Sequence, residues 1–422
     1  MRKVILLGIV ALILVAGSTA GCTSNVQTGT TQPTSVAVGA LLPMTGEHAD
    51  VGANLNSTIH VAEADVNDYL AATNASIRVH LVVKDTGPTT EGALAAIQAL
   101  HAEGVVAVIG PYTSPQVKAV APYADQNGMV LASYSSTVPS LGVERANLYR
   151  LVPDDSHQGP ALAAAMSAQG VKLLIPFVRD DDYSNSLING TRTSFEQLGG
   201  VVAEGARFAV NTTNFSAALD IVRPQLTQSI GAYGGDSVGV LFIGYESDTV
   251  PMLIAAGNDP QWSTTRWWGV EALQIDAVLA NDTAAQAAAR LNFTAIQQVE
   301  GQGERYEHLI QNASVKNTVQ TAYGPFAYDA VWIMARAIAE AGAQNTTALR
   351  DAVPRIASSY NGITGNTTLN AVGDRAYANY DFWMIRSQNH TYVKVKTAQF
   401  RTDPLSGIAV VEGPGTTTAV VH

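Results

Sequence analysis

Several features that whole classes of protein need are scarce in this sequence. It contains one cysteine, Cys22, so no disulfide can form within the chain. Its 24 Lys and Arg residues are outnumbered by 35 Asp and Glu, which gives a net charge of −11, and no basic cluster is present for phosphate groups. Beyond the N-terminal apolar run, no uncharged stretch is long enough to cross a bilayer. These absences exclude a disulfide scaffold, a nucleic-acid partner and a membrane-embedded body.

Catalytic signatures are missing as well. The sequence has no Gly-x-Ser-x-Gly elbow, no Walker phosphate loop, no His-Glu-x-x-His and no cysteine pair for zinc. The run Asp180, Asp181 and Asp182 lacks the spaced oxygen ligands and the turn glycine of a calcium loop, so a solvated loop is the better interpretation. The sequence therefore indicates no enzyme, no cofactor and no metal, and it favours a binding protein.

The N-terminus carries an export signal. Arg2 and Lys3 precede an apolar run over 4–16, and small residues follow over 17–21. Cys22 comes next, where a bacterial-type lipoprotein signal is cut and the thiol is acylated. Ordinary cleavage after Ala20 and an uncleaved anchor are the alternatives. We expect a signal peptide over 1–21 and an extracytoplasmic protein anchored to the outer face of the cell membrane through lipid on Cys22.

A polar segment and many glycosylation sequons fit this location. Residues 22–35 are Thr-rich without apolar periodicity, which predicts a flexible tether. Asn-x-Ser/Thr sequons are denser than chance would supply and suggest a glycosylated protein on a cell surface of archaeal type. The sequons begin at Asn56, Asn74, Asn189, Asn211, Asn214, Asn281, Asn292, Asn312, Asn345, Asn366 and Asn389.

From Val36 onward, short β-branched runs alternate with amphipathic helical patterns. The run 36–42 predicts a buried strand, and apolar residues at helical spacing over 55–70 predict the helix after it. The alternation continues to residue 133, breaks at 152–159 and then restarts. Strands separated by helices predict doubly wound parallel sheets, and two such series in 422 residues predict two α/β lobes. Residues 380–395 predict an antiparallel meander.

Candidate binding residues follow the predicted strands, where open α/β sheets place their ligands. The segment 110–115 (GPYTSP) opens a helix whose free N–H groups, with the hydroxyl of Thr113 or Ser114, could hold a carboxylate. Equally, Ser114 could only cap its own helix. The segment 133–137 (SYSST) adds the hydroxyls of Ser135, Ser136 and Thr137, although a polar turn would look the same.

Three positions in the second series complete the candidate site. Tyr183, Tyr245 and Glu271 each follow a predicted strand. Glu271 comes after the apolar run 267–270 and is expected to be partly buried, so it needs a cationic partner. A ligand ammonium could supply that charge, and so could a Lys or Arg of the protein.

Four segments together resemble the leucine/isoleucine/valine-binding family of periplasmic binding proteins, the type I solute-binding fold of branched-chain amino acid ABC importers. They are 41–52 (LLPMTGEHADVG), 105–137 (VVAVIGPYTSPQVKAVAPYADQNGMVLASYSST), 147–163 (NLYRLVPDDSHQGPALA) and 323–342 (YGPFAYDAVWIMARAIAEAG). The resemblance implies that Ser114 and Thr137 bind the ligand carboxylate and Glu271 its ammonium, while Tyr183 and Tyr245 close over the ligand.

The resemblance also implies the domain arrangement. Lobe I is expected over 36–153 and 296–357, and lobe II over 154–295 and 358–412, with a tail at 413–422. The three hinge crossings then lie near Pro153, Ala295 and Ser358. Residues 281–319 fit the family poorly.

Three departures affect the expected side-chain pocket. Val51 stands where some members have an aromatic residue, Ser136 replaces a small apolar one, and Tyr112 precedes the hydroxyl pair. The resemblance implies an importer component that captures a branched-chain or other aliphatic amino acid and delivers it to an ABC permease. A ligand-sensing module for a membrane receptor, or an importer protein for amides, urea or carboxylates, would carry the same residues, so both alternatives stay open.

Overall fold

Continuous apolar runs form the central strands of two sheets. The computed structural model describes residues 32–142, 147–273, 275–299, 301, 303–342, 345–403, 408–412 and 419–421. Every element described below belongs to the unit Pro33–His422. Cys22, the signal segment and most of the predicted tether lie outside the described residues, and β1 already begins at Thr34.

The first sheet is parallel throughout and has the strand order β2-β1-β3-β4-β5. Its strands are β1 (Thr34–Leu42), β2 (Ile77–Asp85), β3 (Ala107–Ile109), β4 (Val130–Ser133) and β5 (Leu148–Arg150). Its helices are α1 (Ala49–Ala72), α2 (Thr90–Ala102) and α3 (Ser114–Asn127), which precede lobe II, and α12 (Gly324–Ala341) and α13 (Thr346–Ser359), which follow it.

Helices cover both faces of this sheet. Alternate residues of β1 point in opposite directions, so Val38 and Leu42 join the core cluster under α1 and α12, whereas Leu41 joins the cluster under α2 and α3. Burial on both faces explains why β1 has an apolar run rather than polar and apolar alternation.

The second sheet is parallel at its centre and antiparallel at one side. Its order is β17-β16-β15-β14-β11-β10-β9-β6-β7, and β8 also pairs with β6. The parallel strands are β6 (Leu173–Arg179), β7 (Val201–Val202), β8 (Ala206–Phe208), β9 (Val238–Ile243), β10 (Arg266–Gly269) and β11 (Thr294–Gln298). The antiparallel strands are β14 (Asn379–Gln388), β15 (Thr391–Asp403), β16 (Ile408–Glu412) and β17 (Ala419–Val421).

Helices connect the strands of this second lobe, and two short helices follow β11. They are α4 (Asp155–Ala168), α5 (Asp182–Gln197), α6 (Phe215–Tyr233), α7 (Glu246–Gly257), α8 (Ile275–Leu279), α9 (Asp282–Arg290), α10 (Glu304–Gln311) and α11 (Ala313–Lys316). The predicted doubly wound parallel sheets and the predicted meander are confirmed. Among the described residues, no helix combines the length and the apolarity needed to span a bilayer.

The chain passes between the sheets three times. The first passage follows β5, the second follows β11, and the third follows α13 and contains the small hairpin β12 (Asn361–Gly362) and β13 (Gly365–Asn366). Ala295 lies inside β11 and Ser358 inside α13, so the second and third passages begin after those residues rather than at them. The predicted tail contains β17, which pairs with β16.

A buried ion pair ties two of the passages together. The guanidinium of Arg150, at the end of β5, is fully buried and contacts Asp374 through Nε to Oδ1 at 2.5 Å and Nη2 to Oδ2 at 2.6 Å. The backbone N–H of Arg150 also donates to the carbonyl of Gly373 at 2.9 Å. Because the bidentate contact fixes both groups, the junction between the lobes has a defined geometry.

Candidate functional site

The strand order of each sheet reverses at one place, and these two places face each other. In the first sheet β1 lies between β2 and β3, and in the second β6 lies between β9 and the short strands β7 and β8. Loops that leave the carboxyl ends of strands at such a point diverge and create a crevice. The predicted site residues follow β3 and β4 in one lobe and β6, β9 and β10 in the other.

A small cavity of about 10 Å³ lies between these loops. It is lined by Tyr112, Thr113, Ser114, Ser135, Thr137, Tyr183, Tyr245, Ala272 and Tyr323. The structure therefore brings together seven of the ten predicted positions. Larger cavities, of about 330 Å³ and 580 Å³, contain none of the ten. A cavity of about 10 Å³ accommodates roughly one water-sized group, so a larger ligand requires the lobes to separate.

The first lobe contributes hydroxyl groups that are held by one another. Thr113 keeps an extended backbone and Ser114 is the first residue of α3, so the predicted N-cap at Ser114 is off by one position. The Ser136 hydroxyl donates to Ser114 Oγ at 3.0 Å, and the Ser135 hydroxyl donates to the carbonyl of Tyr112 at 2.6 Å. Ser136 is fully buried behind Ser114 and does not line the cavity.

Thr137 leads to an acidic residue that the sequence interpretation missed. Its hydroxyl donates to Asp155 Oδ2 at 3.0 Å, and the amide of Gln158 donates to Oδ1 at 2.9 Å. Asp155 is buried, and this burial together with the nearby negative charge of Glu271 raises the pKa of its carboxyl well above the usual range. The signal available was the paired acids of VPDDSHQG at the break between the two series, which opens α4 and places a carboxylate at the junction.

Glu271 is fully buried beside the cavity and contacts its lining. The Tyr323 hydroxyl donates to Glu271 Oε1 at 3.2 Å, and the backbone N–H of Glu271 donates to Gln158 Oε1 at 3.2 Å. Burial raises the pKa of the carboxyl to about 7, although hydrogen bonds from Gln298 and Tyr323 act in the opposite direction. Tyr323, rather than Glu271, forms that part of the wall, and the sequence interpretation did not single it out.

The second lobe contributes two tyrosines. The rings of Tyr183 and Tyr245 lie 5.3 Å apart, between centroids, at the starts of α5 and α7. The Tyr183 hydroxyl is buried and has no hydrogen-bond partner among the described residues. Burial and the charges of Asp155 and Glu271 raise the pKa of this phenol, so it stays neutral and can still donate.

Val51 is the one predicted residue that takes no part in the site. It is buried in the core cluster of α1 and α12 and does not line the cavity. The ring of Tyr112 packs against Tyr323 instead, with ring centroids 5.7 Å apart, and these two rings form the wall. Val51 therefore lies in the core of the first lobe rather than among the residues that line the cavity.

The two lobes, the three passages and the cleft at facing switch points define a bilobed ligand-binding protein of the type I periplasmic binding fold. A family model for the receptor family ligand-binding region matches residues 54–388. The chain belongs to that family.

Comparisons with individual proteins agree with this assignment. An uncharacterized protein of Methanocaldococcus jannaschii is 27% identical over 399 residues, which is 89% of this chain and 94% of that protein. A leucine-binding protein from Thermotoga maritima superimposes with a TM-score of 0.70 at 22% identity, covering 85% of this chain and 97% of that one. The predicted resemblance to leucine/isoleucine/valine-binding proteins is thus confirmed.

A further solved structure shares the fold and holds a different ligand. The solute-binding protein of an ABC transporter from R. palustris, in complex with 4-hydroxybenzoate, gives a TM-score of 0.71 at 17% identity. The match covers 87% of this chain and 97% of that one. At these identities the likeness of solved structures defines the fold alone, so the ligand must be argued from the site.

The buried Glu271 carboxyl makes the stability of the ligand-free protein depend on pH. Its pKa rises from 4.5 to about 7 on folding, so between these values the folded chain binds more protons than the unfolded chain. The free energy of unfolding should therefore fall as the pH rises through this window, by up to about 3 kcal/mol from this group. Chemical denaturation of wild type and Glu271→Gln at pH 4.5, 5.5 and 7 checks this. The variant should lose that part of the slope, and an identical slope in both proteins would contradict the assignment.

Proposed function

We propose that the chain is the extracytoplasmic binding component of an ABC importer and that it captures an amino acid, with the branched-chain and other aliphatic amino acids as first candidates. The observation that carries the proposal is the placement of hydroxyl groups and a helix start on one side of the cleft, next to two buried carboxyls. Hydroxyl groups of Ser114 and Thr137 and the start of α3 lie on one side, while the buried carboxyls of Asp155 and Glu271 lie beside them.

An amino acid suits this arrangement because it carries both a carboxylate and an ammonium group. A ligand carboxylate can accept a hydrogen bond from the Ser114 hydroxyl, which itself accepts from Ser136, and from the N–H groups at the start of α3. A ligand ammonium beside Asp155 and Glu271 would favour their ionised forms, which burial otherwise disfavours. A simple carboxylate would offer nothing to these acids, although the benzoate-type ligand of the R. palustris neighbour makes it the alternative to test.

The Tyr183 hydroxyl adds a donor from the other lobe. It is buried against the cavity without a partner among the described residues, and an unmade hydrogen bond in such a place is costly. A ligand oxygen at this point would satisfy the hydroxyl only when the lobes are closed. Ligand binding would then favour closure through contacts that the open form lacks.

The importer role rests on relatives rather than on the cleft. The leucine-binding protein of T. maritima and the transporter component of R. palustris share the fold over nearly their full lengths. The site provides binding groups and the sequence shows no nucleophile and base pair, so we propose capture and delivery to a permease without chemistry. A sensor for a membrane receptor would bind in the same way and would differ in its partner.

Binding assays test the ligand class. Thermal-shift measurements on the wild-type chain should show stabilisation by aliphatic amino acids and little by matched carboxylates or amides that lack the ammonium. Glu271→Gln keeps the side-chain volume and removes the charge, so calorimetry should show affinity reduced by roughly 30-fold or more. Glu204→Gln, at an exposed position, serves as the control and should bind as wild type does. Stabilisation by carboxylates alone would contradict the amino-acid proposal.

We also propose that Cys22 is acylated after signal cleavage and anchors the protein to the outer face of the membrane. The position of Cys22 after 17–21 is the support for this proposal. In a host that processes lipoproteins, wild type should fractionate with membranes, whereas Cys22→Ser should appear in the soluble extracytoplasmic fraction. Equal partition of the two proteins would contradict acylation.

A further inference from the structure

A second group of charged residues bridges the cleft beside the cavity. Glu47 and His48 lie in the loop between β1 and α1, whereas Arg179 ends β6 and Glu246 begins α7. Arg179 Nη2 lies 2.9 Å from Glu47 Oε1, and His48 Nδ1 lies 2.7 Å from Glu246 Oε1. Each of these contacts joins one lobe to the other. Separation of the lobes therefore breaks both.

Arg179 is connected to the tyrosine at the edge of the cavity. Its Nη1 donates to Asp248 Oδ2 at 2.9 Å, and the same oxygen accepts the backbone N–H of Tyr245 at 3.0 Å. The guanidinium carbon also lies 4.9 Å from the centre of the Tyr245 ring. A cation above an aromatic face is attracted to the ring. Arg179 therefore restrains the ring of Tyr245 directly and its backbone through Asp248.

His48 is connected to both walls of the cavity. Its ring centroid lies 5.1 Å from that of Tyr112 and 5.2 Å from that of Tyr245. The Tyr112 hydroxyl donates weakly to Glu246 Oε2 at 3.4 Å. The imidazole thus fills the space between one tyrosine from each lobe.

These contacts are shielded from water. The side chains of Arg179 and His48 are 3% and 5% exposed, and those of Glu246 and Glu47 are 11% and 22% exposed. Exposed ion pairs contribute little, whereas charges removed from solvent interact strongly and are costly when one partner is lost. The chain offers a matched contrast in the pair of Lys118 and Asp182, which also crosses the cleft at 2.8 Å but is more than half exposed.

We propose that Arg179 and His48 are positioning residues whose cross-cleft ion pairs hold Tyr245 and Tyr112 against the cavity in the closed conformation and stabilise that conformation. This proposal rests on the proposed function, because closure has a role only where a ligand is bound between the lobes. Its physical content, a closed form that depends on these pairs, is independent of the ligand.

The network also predicts a dependence on pH. Burial opposes the charge on His48, but the carboxylates of Glu246 and Glu47 outweigh burial and raise its pKa from 6.5 to about 9. Burial raises the pKa of Glu47, but His48 and Arg179 outweigh that effect and lower it to about 2, so this carboxylate stays charged. The phenols of Tyr112 and Tyr245 also face His48. Behind Glu47 and Tyr245, Arg179 pairs with Asp248 at 2.9 Å and with Asp181 at 3.2 Å.

His48 holds its proton more tightly in the closed form than in the unfolded chain. A raised pKa in the closed form means that the contribution of His48 is complete below about pH 6.5 and is lost as the pH rises through about 9. Glu47 remains beside His48 in the open form and retains part of the shift. We therefore expect closure to weaken by roughly tenfold over this range, below the limit set by the full shift.

Small-angle X-ray scattering of the ligand-free chain tests the proposal directly. Wild type at pH 6.5 and low salt should have the radius of gyration of the closed form, and His48→Gln and Arg179→Gln should shift it to a larger value. Raising the pH to 9 should produce the same shift in wild type and none in His48→Gln. Lys118→Gln should behave as wild type, and Arg179→Lys should recover part of the closed population because the charge is kept.

Calorimetry with L-leucine as the probe gives a second readout. His48→Gln should weaken leucine binding roughly tenfold at pH 6.5 and should remove most of the decline in affinity up to pH 8.5. Glu246→Gln, which removes the same pair from the other lobe, should give the same result and guards against a local folding defect in His48→Gln. Radii that are identical in wild type and both network variants would overturn the proposal. Failure of leucine to bind would instead count against the proposed ligand. The scattering result would still decide whether the closed form depends on the ion pairs.

Discussion

Burial of two carboxyl groups where the two lobes meet is the constraint on which this structure depends. Asp155 and Glu271 are enclosed by the protein, and burial raises the pKa of both carboxyls. Protein hydrogen bonds from Thr137, Gln158 and Tyr323 offset part of that cost. A bound cation would offset more. The cleft thus buries two carboxyls at an electrostatic cost that the proposed ligand ammonium would reduce.

The same junction explains how ligand and conformation are coupled. The closed cavity has room for about one water-sized group, so a ligand of the size of an amino acid would enter only when the lobes part. Parting breaks the pairs of Arg179 with Glu47 and of His48 with Glu246. Closure then remakes those pairs and brings Tyr183 and Tyr245 against the first lobe. Ligand contacts and cross-cleft protein contacts therefore form together, and both contribute to the free energy of binding. This is how binding is coupled to closure in a two-state hinge.

Local chemistry made the larger part of the architecture predictable. Apolar runs such as 36–42 and the alternation with helices predict parallel strands, and hydroxyl-rich loops after strands predict the half of the site that contains Ser114 and Thr137. Glu271 could be singled out because a carboxylate after an apolar run needs a cationic partner. The second and third passages follow the ends of β11 and α13, a few residues after Ala295 and Ser358, and no turn signal in the sequence marks those ends.

What the sequence did not show depends on contacts between distant segments. Asp155 and Tyr323 join the site only because α4 and α12 begin at the same edge of the cleft, and neither stands at the end of a predicted strand. Arg179 and His48 are polar residues in loops or at a strand end, without periodicity, and their partners lie more than 100 positions away in the chain. Such pairings depend on the tertiary fold, so neither composition nor local sequence pattern predicts them.

The proposed ligand class depends on a ligand ammonium beside Glu271. A carbon-13 NMR titration of the Glu271 carboxyl, identified by its disappearance in Glu271→Gln, measures this directly. Without ligand, the pKa should be about 7. With a saturating amino acid, the positive charge should lower it by roughly one to three pH units. A pKa that stays unchanged, or that rises as it would beside a second anion, would contradict an ammonium at this position.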